Sequence, residues 1–396
     1  MPIRRLAPLA ILLLPPALIA QTTGPEGWAS HYEQAVKACQ ARAYPDCLRH
    51  LERAERLEPG YPRLIYGLAS VYALSGRGAD AVTWLERLVA MGLAFNPEQD
   101  SDFVSLRDSD GLARVLHGFA RNREPVGSSK SAFSLPERDF LAEGLAYDSV
   151  TGTFYVGSVH RRKIVAVGPG REVREFVGES SGGLWSVMGL RVDPKQRLLW
   201  AASTASPQMI GYRPEDLGRA GLFKFDLASG ALLASYLLPG APEHHWLGDL
   251  TVSSTGEVFV TDSRAPVIYR LRPGGDQLQE LVRDARFSSL QGAVLSADEG
   301  RLLVADYRFG LYAIDLRHPG VVRLTAPGEV TLRGVDGLYR HGQGLIAVQN
   351  GVTPQRVVRF AVDSGLTHVT SAAVLEANNP VFAEPTLGVV VGDEFY

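Results

Sequence analysis

Cysteine is nearly absent: the 396-residue chain has two, Cys39 and Cys47. Two isolated thiols lack the other ligands of a zinc centre, which excludes a structural thiolate site. In an oxidising compartment so close a pair suggests a disulfide. The same residues also read as small packing positions of a helical region, which needs no chemistry. Charge of one sign is lacking too. With 40 Lys and Arg against 43 Asp and Glu, the formal net charge is −3. Nothing forms the basic stripe that nucleic-acid binding demands. No cysteine nucleophile setting or phosphate loop occurs, so nucleophilic catalysis by a thiol is not favoured.

Long apolar runs are also lacking. The one candidate, Leu6 to Ala20, is short and interrupted by Pro15-Pro16, which disfavours a membrane span. Preceded by Met1-Pro-Ile-Arg-Arg, it reads as a secretory signal over residues 1–20, cleaved near Ala20. Leu18 is a poor minus-three residue, and an uncleaved anchor is the alternative. Export would place the mature chain in the periplasm or outside the cell. Loss of Arg4 and Arg5 would take the formal charge from −3 to −5.

What is present is periodicity of two kinds. Between Trp28 and about Arg123 apolar residues recur at helical spacing, through Tyr32, Ala35 and Val36, then Cys47, Leu48, Leu51 and Ala54. Pro59-Gly60 and Ser75-Gly76 punctuate the run as helix stops. The pattern Tyr44…Leu48…Leu51…Ala54…Leu57-Glu-Pro59, then Leu68-Ala69…Tyr72…Gly76…Ala81…Leu85, resembles the tetratricopeptide repeat over about two repeats. A looser helical tail covers Phe103 to Phe119. Such helix pairs stack on a shared face and offer a groove to a protein partner, or simply cap a neighbouring domain. The polar stretch 124–130 reads as a linker.

From Glu143 onward one unit recurs six times: a polar residue, a small residue, a short apolar strand, a turn, and a second apolar strand. It begins at Glu143-Gly-Leu-Ala-Tyr-Asp, Met188-Gly-Leu-Arg-Val-Asp, Gly248-Asp-Leu-Thr-Val, Gln291-Gly-Ala-Val-Leu-Ser, Asp336-Gly-Leu-Tyr and Glu384-Pro-Thr-Leu-Gly. The starts lie 45, 60, 43, 45 and 48 residues apart. That period, with four short strands per unit, predicts a β-propeller of six blades. The fold class is therefore α plus all-β in two domains: helical repeats over 26–123 and a propeller over 131–396. The last blade reads as truncated, because the chain stops at Tyr396 where its second strand should begin. Ala132 to Leu135 is expected to serve as an outer strand of that blade. About two strands would still be missing, as in a shortened version of a longer protein.

A propeller brings equivalent positions of every blade to one channel mouth. The heads Glu143, Met188, Gly248 with Asp249, Gln291, Asp336 and Glu384 should therefore converge. Several carboxylates and an amide on one axis repel unless something positive sits among them. Such an oxygen set suits Ca²⁺ better than Mg²⁺, which demands strict octahedral geometry. Acidic strand starts that accept backbone N–H groups would explain the same residues without a metal. The loops on this face contribute His160, Trp246, Asp306, Tyr307, Arg308 and Asn350 as candidate substrate contacts. His244 and His245, in Glu243-His-His-Trp246, could serve as acid or base near neutral pH. The alternative is that a His packs within its loop. Asp226, Asp315 and Asp363 read as turn formers.

The Glu143-Gly-Leu…Tyr-Val-Gly-Ser, Gln291-Gly and Val335-Asp336-Gly337-Leu338 segments resemble the senescence-marker-protein/gluconolactonase family of six-bladed propellers, over roughly 131–396. The resemblance implies a divalent metal bound by a first-blade Glu, a blade-four Asn and a blade-five Asp. These positions fall on Glu143, Gln291 and Asp336, and the Asp is also the family's proposed base for lactone hydrolysis. The chain departs twice. Gln291 replaces the amide Asn, and Gly248-Asp249 replaces a blade-three Asn-Asp, leaving Asp249 as a further candidate ligand. Paraoxonase and strictosidine-synthase-like propellers share the architecture and the central cation. Two functions follow: metal-dependent hydrolysis of a lactone or ester with Asp336 as base, or a non-catalytic propeller that binds a ligand or protein. Retention of Glu143 and Asp336 favours the first, the two departures the second.

Overall fold

The computed structural model describes residues 27–240 and 243–396. The leader expected over residues 1–20 lies outside the described residues. By their contacts the described residues divide into two compact units, one of residues up to 125 with 326–331, the other of 126–325 with 332–396. No helix among the described residues is long and apolar enough to cross a membrane.

The first unit holds α1 (Trp28–Gln40), α2 (Tyr44–Leu57), α3 (Pro62–Leu74), α4 (Gly78–Ala90), a 3-10 turn over Ser101–Leu106, and α5 (Asp110–Asn122). Proline stands in the first turn of α2 and α3, where its missing N–H costs nothing. Ser109 caps α5 by accepting from the Leu112 N–H at 3.2 Å. Cys47, Leu48, Leu51 and Ala54 form the buried face of α2. Cys39 and Cys47 are joined by a disulfide across the α1–α2 turn, with Cα atoms 5.3 Å apart.

The second unit is a β-propeller of five four-stranded antiparallel blades. Their inner strands are Ala142–Asp148, Ser186–Asp193, Leu247–Val252, Leu290–Leu295 and Val335–His341. The expected sixth blade is corrected. The residues after Glu384 form only a two-stranded sheet, Val390–Val391 with Glu394–Phe395. It stands between blades five and one: Phe395 meets Tyr339 at 5.2 Å between ring centroids, and Tyr396 meets Phe154 at 4.9 Å. Ala132–Leu135 forms no strand; Phe133 packs on Phe154 of blade one at 5.3 Å.

The recurring small residue now has a physical reason. At every blade head the pairing of the first two strands slips by a bulge, between Ala142 and Leu145, Val187 and Leu190, Val260 and Asp262, Leu290 and Ala293, and Val335 and Leu338. A bulge re-aims the head side chain. It also brings the next inner strand against the following residue. A Cβ on Gly144 would lie 2.0 Å from the Met188 carbonyl oxygen, and one on Gly292 2.6 Å from that of Asp336. Only glycine fits.

At the opposite end of blade one, the fully buried Asp148 takes both Arg197 Nη atoms, Nη1 on Oδ1 and Nη2 on Oδ2, at 2.7 Å each, tying blade one to blade two. The Arg197 hydrogen bonds hold its carboxyl down from 3.8 to about 2. A depressed folded-state pKa stabilises above the ordinary value, and that stabilisation is lost as pH falls through the folded value. Asp148→Asn should therefore cost ~1–2 kcal/mol at neutral pH, discounted because Arg197 is a third exposed. In urea titrations the gap to wild type should close between pH 4 and about 2. A gap that is independent of pH would contradict this assignment.

Candidate functional site

Glu143, Asp249 and Asp336 come from the heads of blades one, three and five, where the bulges place them. They act on one another electrostatically. Burial, and then the Asp336 charge, pushes the Glu143 carboxyl from 4.5 to about 8, against a hydrogen bond from Thr386. Burial likewise raises Asp336 from 3.8 to about 6, opposed by Asn350, whose Nδ2 donates to Asp336 Oδ2 at 2.7 Å. Asp249 is 1 % exposed and is also raised by burial, with Arg191 opposing.

Arg191 is the residue that sequence reasoning missed. It lies on the blade-two inner strand and donates from Nη2 to Asp249 Oδ2 at 3.0 Å, while its guanidinium stands 5.3 Å from the Tyr339 ring centroid. The signal was there. Three places after each head the other four blades carry Ala146, Thr251, Val294 and Tyr339, and blade two alone carries a cation. Tyr339 in turn accepts the Gly388 N–H at 2.6 Å, fixing the C-terminal segment beneath the site.

The remaining heads are less committed to the axis. Met188 is buried and offers no oxygen, while Glu384 is exposed. Gln291 donates to Ser289 Oγ at 3.2 Å, and its carbonyl oxygen accepts from Ser263 at 3.3 Å. Among the described residues two buried side-chain oxygens are left without a hydrogen-bond partner, Asp249 Oδ1 and Asn350 Oδ1. An orphaned buried acceptor is costly and marks a place for a donor or a cation. Among the described residues no group of three or more His, Cys, Asp or Glu side chains is placed to hold a metal ion. The donors that fit a hard cation are two carboxylates and an amide oxygen: Glu143, Asp336 and Asn350. Asp249 is answered by Arg191 through Oδ2 only, and its Oδ1 keeps no partner.

The loop residues divide. Asp306 is fully buried and accepts four backbone N–H groups, those of Ser288, Ser289, Arg308 and Phe309, at 2.6, 3.0, 2.9 and 3.0 Å. Asp262 does the same for Trp246, Arg264 and Ala265 at 3.1, 2.9 and 3.0 Å. Both end the second strand of a blade and brace the loops at its entry. His245 is 3 % exposed; its Nδ1 meets Asp262 Oδ2 at 2.7 Å and its ring stands edge-on to Tyr269 at 6.1 Å. Those partners put it over the outer strands of blade three. His244 is exposed beside Gly218. Trp246 is half-buried under Arg264, whose guanidinium is 5.6 Å from the indole centroid. His160 Nδ1 donates to the Gln208 carbonyl at 2.6 Å. The Tyr307 ring leans on Gly351, next to Asn350, and Arg308 reaches Ser288 Oγ at 3.4 Å. Asp226, Asp315 and Asp363 accept N–H groups of their own turns. A cavity of about 560 Å³ lies between blades four and five, lined by Arg301, Arg317 and Arg340, at the end opposite the heads.

No family profile matches this chain, and no curated protein matches it in sequence. Solved structures are similar in fold. A catalytically inactive virginiamycin B lyase from Staphylococcus aureus with quinupristin is 15% identical, with a TM-score of 0.48 over 68% of this chain and 90% of its own. A gluconolactonase from Xanthomonas campestris is 18% identical, with a TM-score of 0.44 over 63% of this chain and 78% of its own. A nidogen/laminin complex is 16% identical, with a TM-score of 0.45 over 59% and 80%.

Proposed function

We propose that this protein hydrolyses a lactone or comparable ester at the channel mouth, using a divalent cation, Ca²⁺ for preference, held by Glu143, Asp336 and Asn350. The observation that carries the reading is the juxtaposition of two half-buried carboxyl groups, Glu143 raised in part by the Asp336 charge, with the partnerless Asn350 Oδ1. When bound, the cation supplies a Lewis acid for the ester carbonyl. Asp336 is the general base. Asn350 occupies its Oδ2 at 2.7 Å, which fixes the carboxylate plane and leaves Oδ1 to take a proton from water. Thr386 orients Glu143 from the other side. Trp246, Tyr307 and Arg308 are the proposed substrate contacts.

We place the protein in the periplasm or outside the cell, on the leader of residues 1–20 and the Cys39–Cys47 disulfide. The tetratricopeptide-like helix pairs are its surface for a protein partner. A second reading has its own support. Arg191 already meets part of the acidic centre with a fixed cation, as a non-catalytic binding propeller would need. An assay of the full chain with an aldonolactone and an aryl ester separates them. Hydrolysis that appears with Ca²⁺ and vanishes with chelator supports the enzyme; no turnover of either substrate at any Ca²⁺ concentration supports the binding module.

A further inference from the structure

The cavity of about 560 Å³ at the end opposite the blade heads takes no part in the chemistry proposed above. Arg301 and Arg317 of blade four and Arg340 of blade five line it, and the buried Leu303 and Leu345 supply apolar wall. Three aspartates share the lining, Asp298, Asp315 and Asp363, so its formal charge is balanced. Yet among the described residues no ion pair joins any of these carboxylates to the three guanidinium groups. The acids are engaged by their own turns instead. Asp298 Oδ1 accepts from Ser296 Oγ at 2.6 Å and from the Gly300 N–H at 3.1 Å. Asp315 Oδ1 takes the Arg317 and His318 N–H groups at 2.8 and 3.0 Å. Asp363 Oδ1 takes those of Thr367 and His368, both at 2.8 Å. Such turn bonds are the first cause that holds the Asp298 and Asp315 carboxyls below the usual range, and the Arg301 charge is the last.

Guanidinium donors are therefore in excess. Arg301 Nη1 donates to the Gly365 carbonyl of blade five, which fixes that group across the seam between the blades. Among the described residues its Nε and Nη2 have no partner, and the Arg317 and Arg340 side chains have none at all. Arginine holds carboxylate and phosphate oxygens through paired N–H groups, and a cavity of this size suits a small organic ligand. We propose that the cavity between blades four and five is a site for a small multivalent oxyanion, a polycarboxylate or a phosphate, bound by Arg301, Arg317 and Arg340. One of the three cations is already in place, which lowers the ordering cost of binding. The other two are exposed and closed by no internal contact, so they are free to reach the ligand.

The test is a calorimetric titration of the full chain, at low salt and without Ca²⁺, with citrate, with inorganic phosphate and with uncharged sorbitol. One saturable site for citrate or phosphate is expected, and none for sorbitol. Arg317→Gln and Arg340→Gln should each weaken binding roughly tenfold or more, as loss of charge-assisted hydrogen bonds requires. Arg272→Gln should leave it unchanged. That exposed arginine follows the third strand of blade three, as Arg317 follows that of blade four, but lies outside the cavity. Saturable binding of neither anion by the wild type overturns the site, and that result depends on no variant. So does an affinity that both cavity variants leave unaltered, or one that falls equally in all three variants.

Discussion

Asp336→Asn should abolish lactone and ester hydrolysis while leaving the fold intact. The amide is nearly isosteric and still meets Asn350, and the substitution relieves the repulsion that raises Glu143. What it removes is the acceptor for a water proton, an effect of roughly 10²–10⁴ in rate. The loss should fall on kcat rather than KM, because ground-state contacts at the rim are untouched. Thermal melting of the variant should match or exceed that of wild type, since a buried carboxylate of elevated pKa opposes folding above its ordinary value. Residual activity within tenfold of wild type would remove Asp336 from the role of base.

The largest structural effect should come from Arg191→Met. It leaves Asp249 with 1 % of its side chain exposed and no cation beside it. Breaking a buried pair from one side costs ~3–5 kcal/mol, because the partner charge is stranded. The loss should shrink at low pH, where Asp249 can protonate, its pKa being already raised by burial. Arg191→Met combined with Asp249→Asn should recover much of the stability, so a double-mutant cycle in urea should show strong coupling. Additive losses would mean that Arg191 stabilises through its contact with Tyr339 and not through Asp249.

The repeat was legible because its glycines answer a local need. Where bulged inner strands touch, as at Gly144 and Gly292, no side chain fits, so the sequence marks each head. The β-propeller and the helical region could be read from that signal and from the 3.6 period. The number of blades could not, since a head residue at Glu384 starts a hairpin as readily as a blade, and pairing depends on chain that is not local to it. Glu143, Asp249 and Asp336 were visible as acids on one ring. Their partners were not. Arg191 was visible as a lone cation inside an apolar strand, but its role depends on which residue of the neighbouring blade meets it. Asp306 looked like a ligand-binding acid for the same reason in reverse: its four backbone donors come from two loops, and backbone N–H groups leave no trace in sequence.

Calorimetric titration of Ca²⁺ into chelator-treated full-length protein and its Glu143→Gln variant tests the central claim most directly. A single saturable site in the wild type, weakened in the variant without loss of melting temperature, is the predicted result. No heat of binding in the wild type, or an isotherm that Glu143→Gln leaves unchanged, would contradict a cation at the channel mouth.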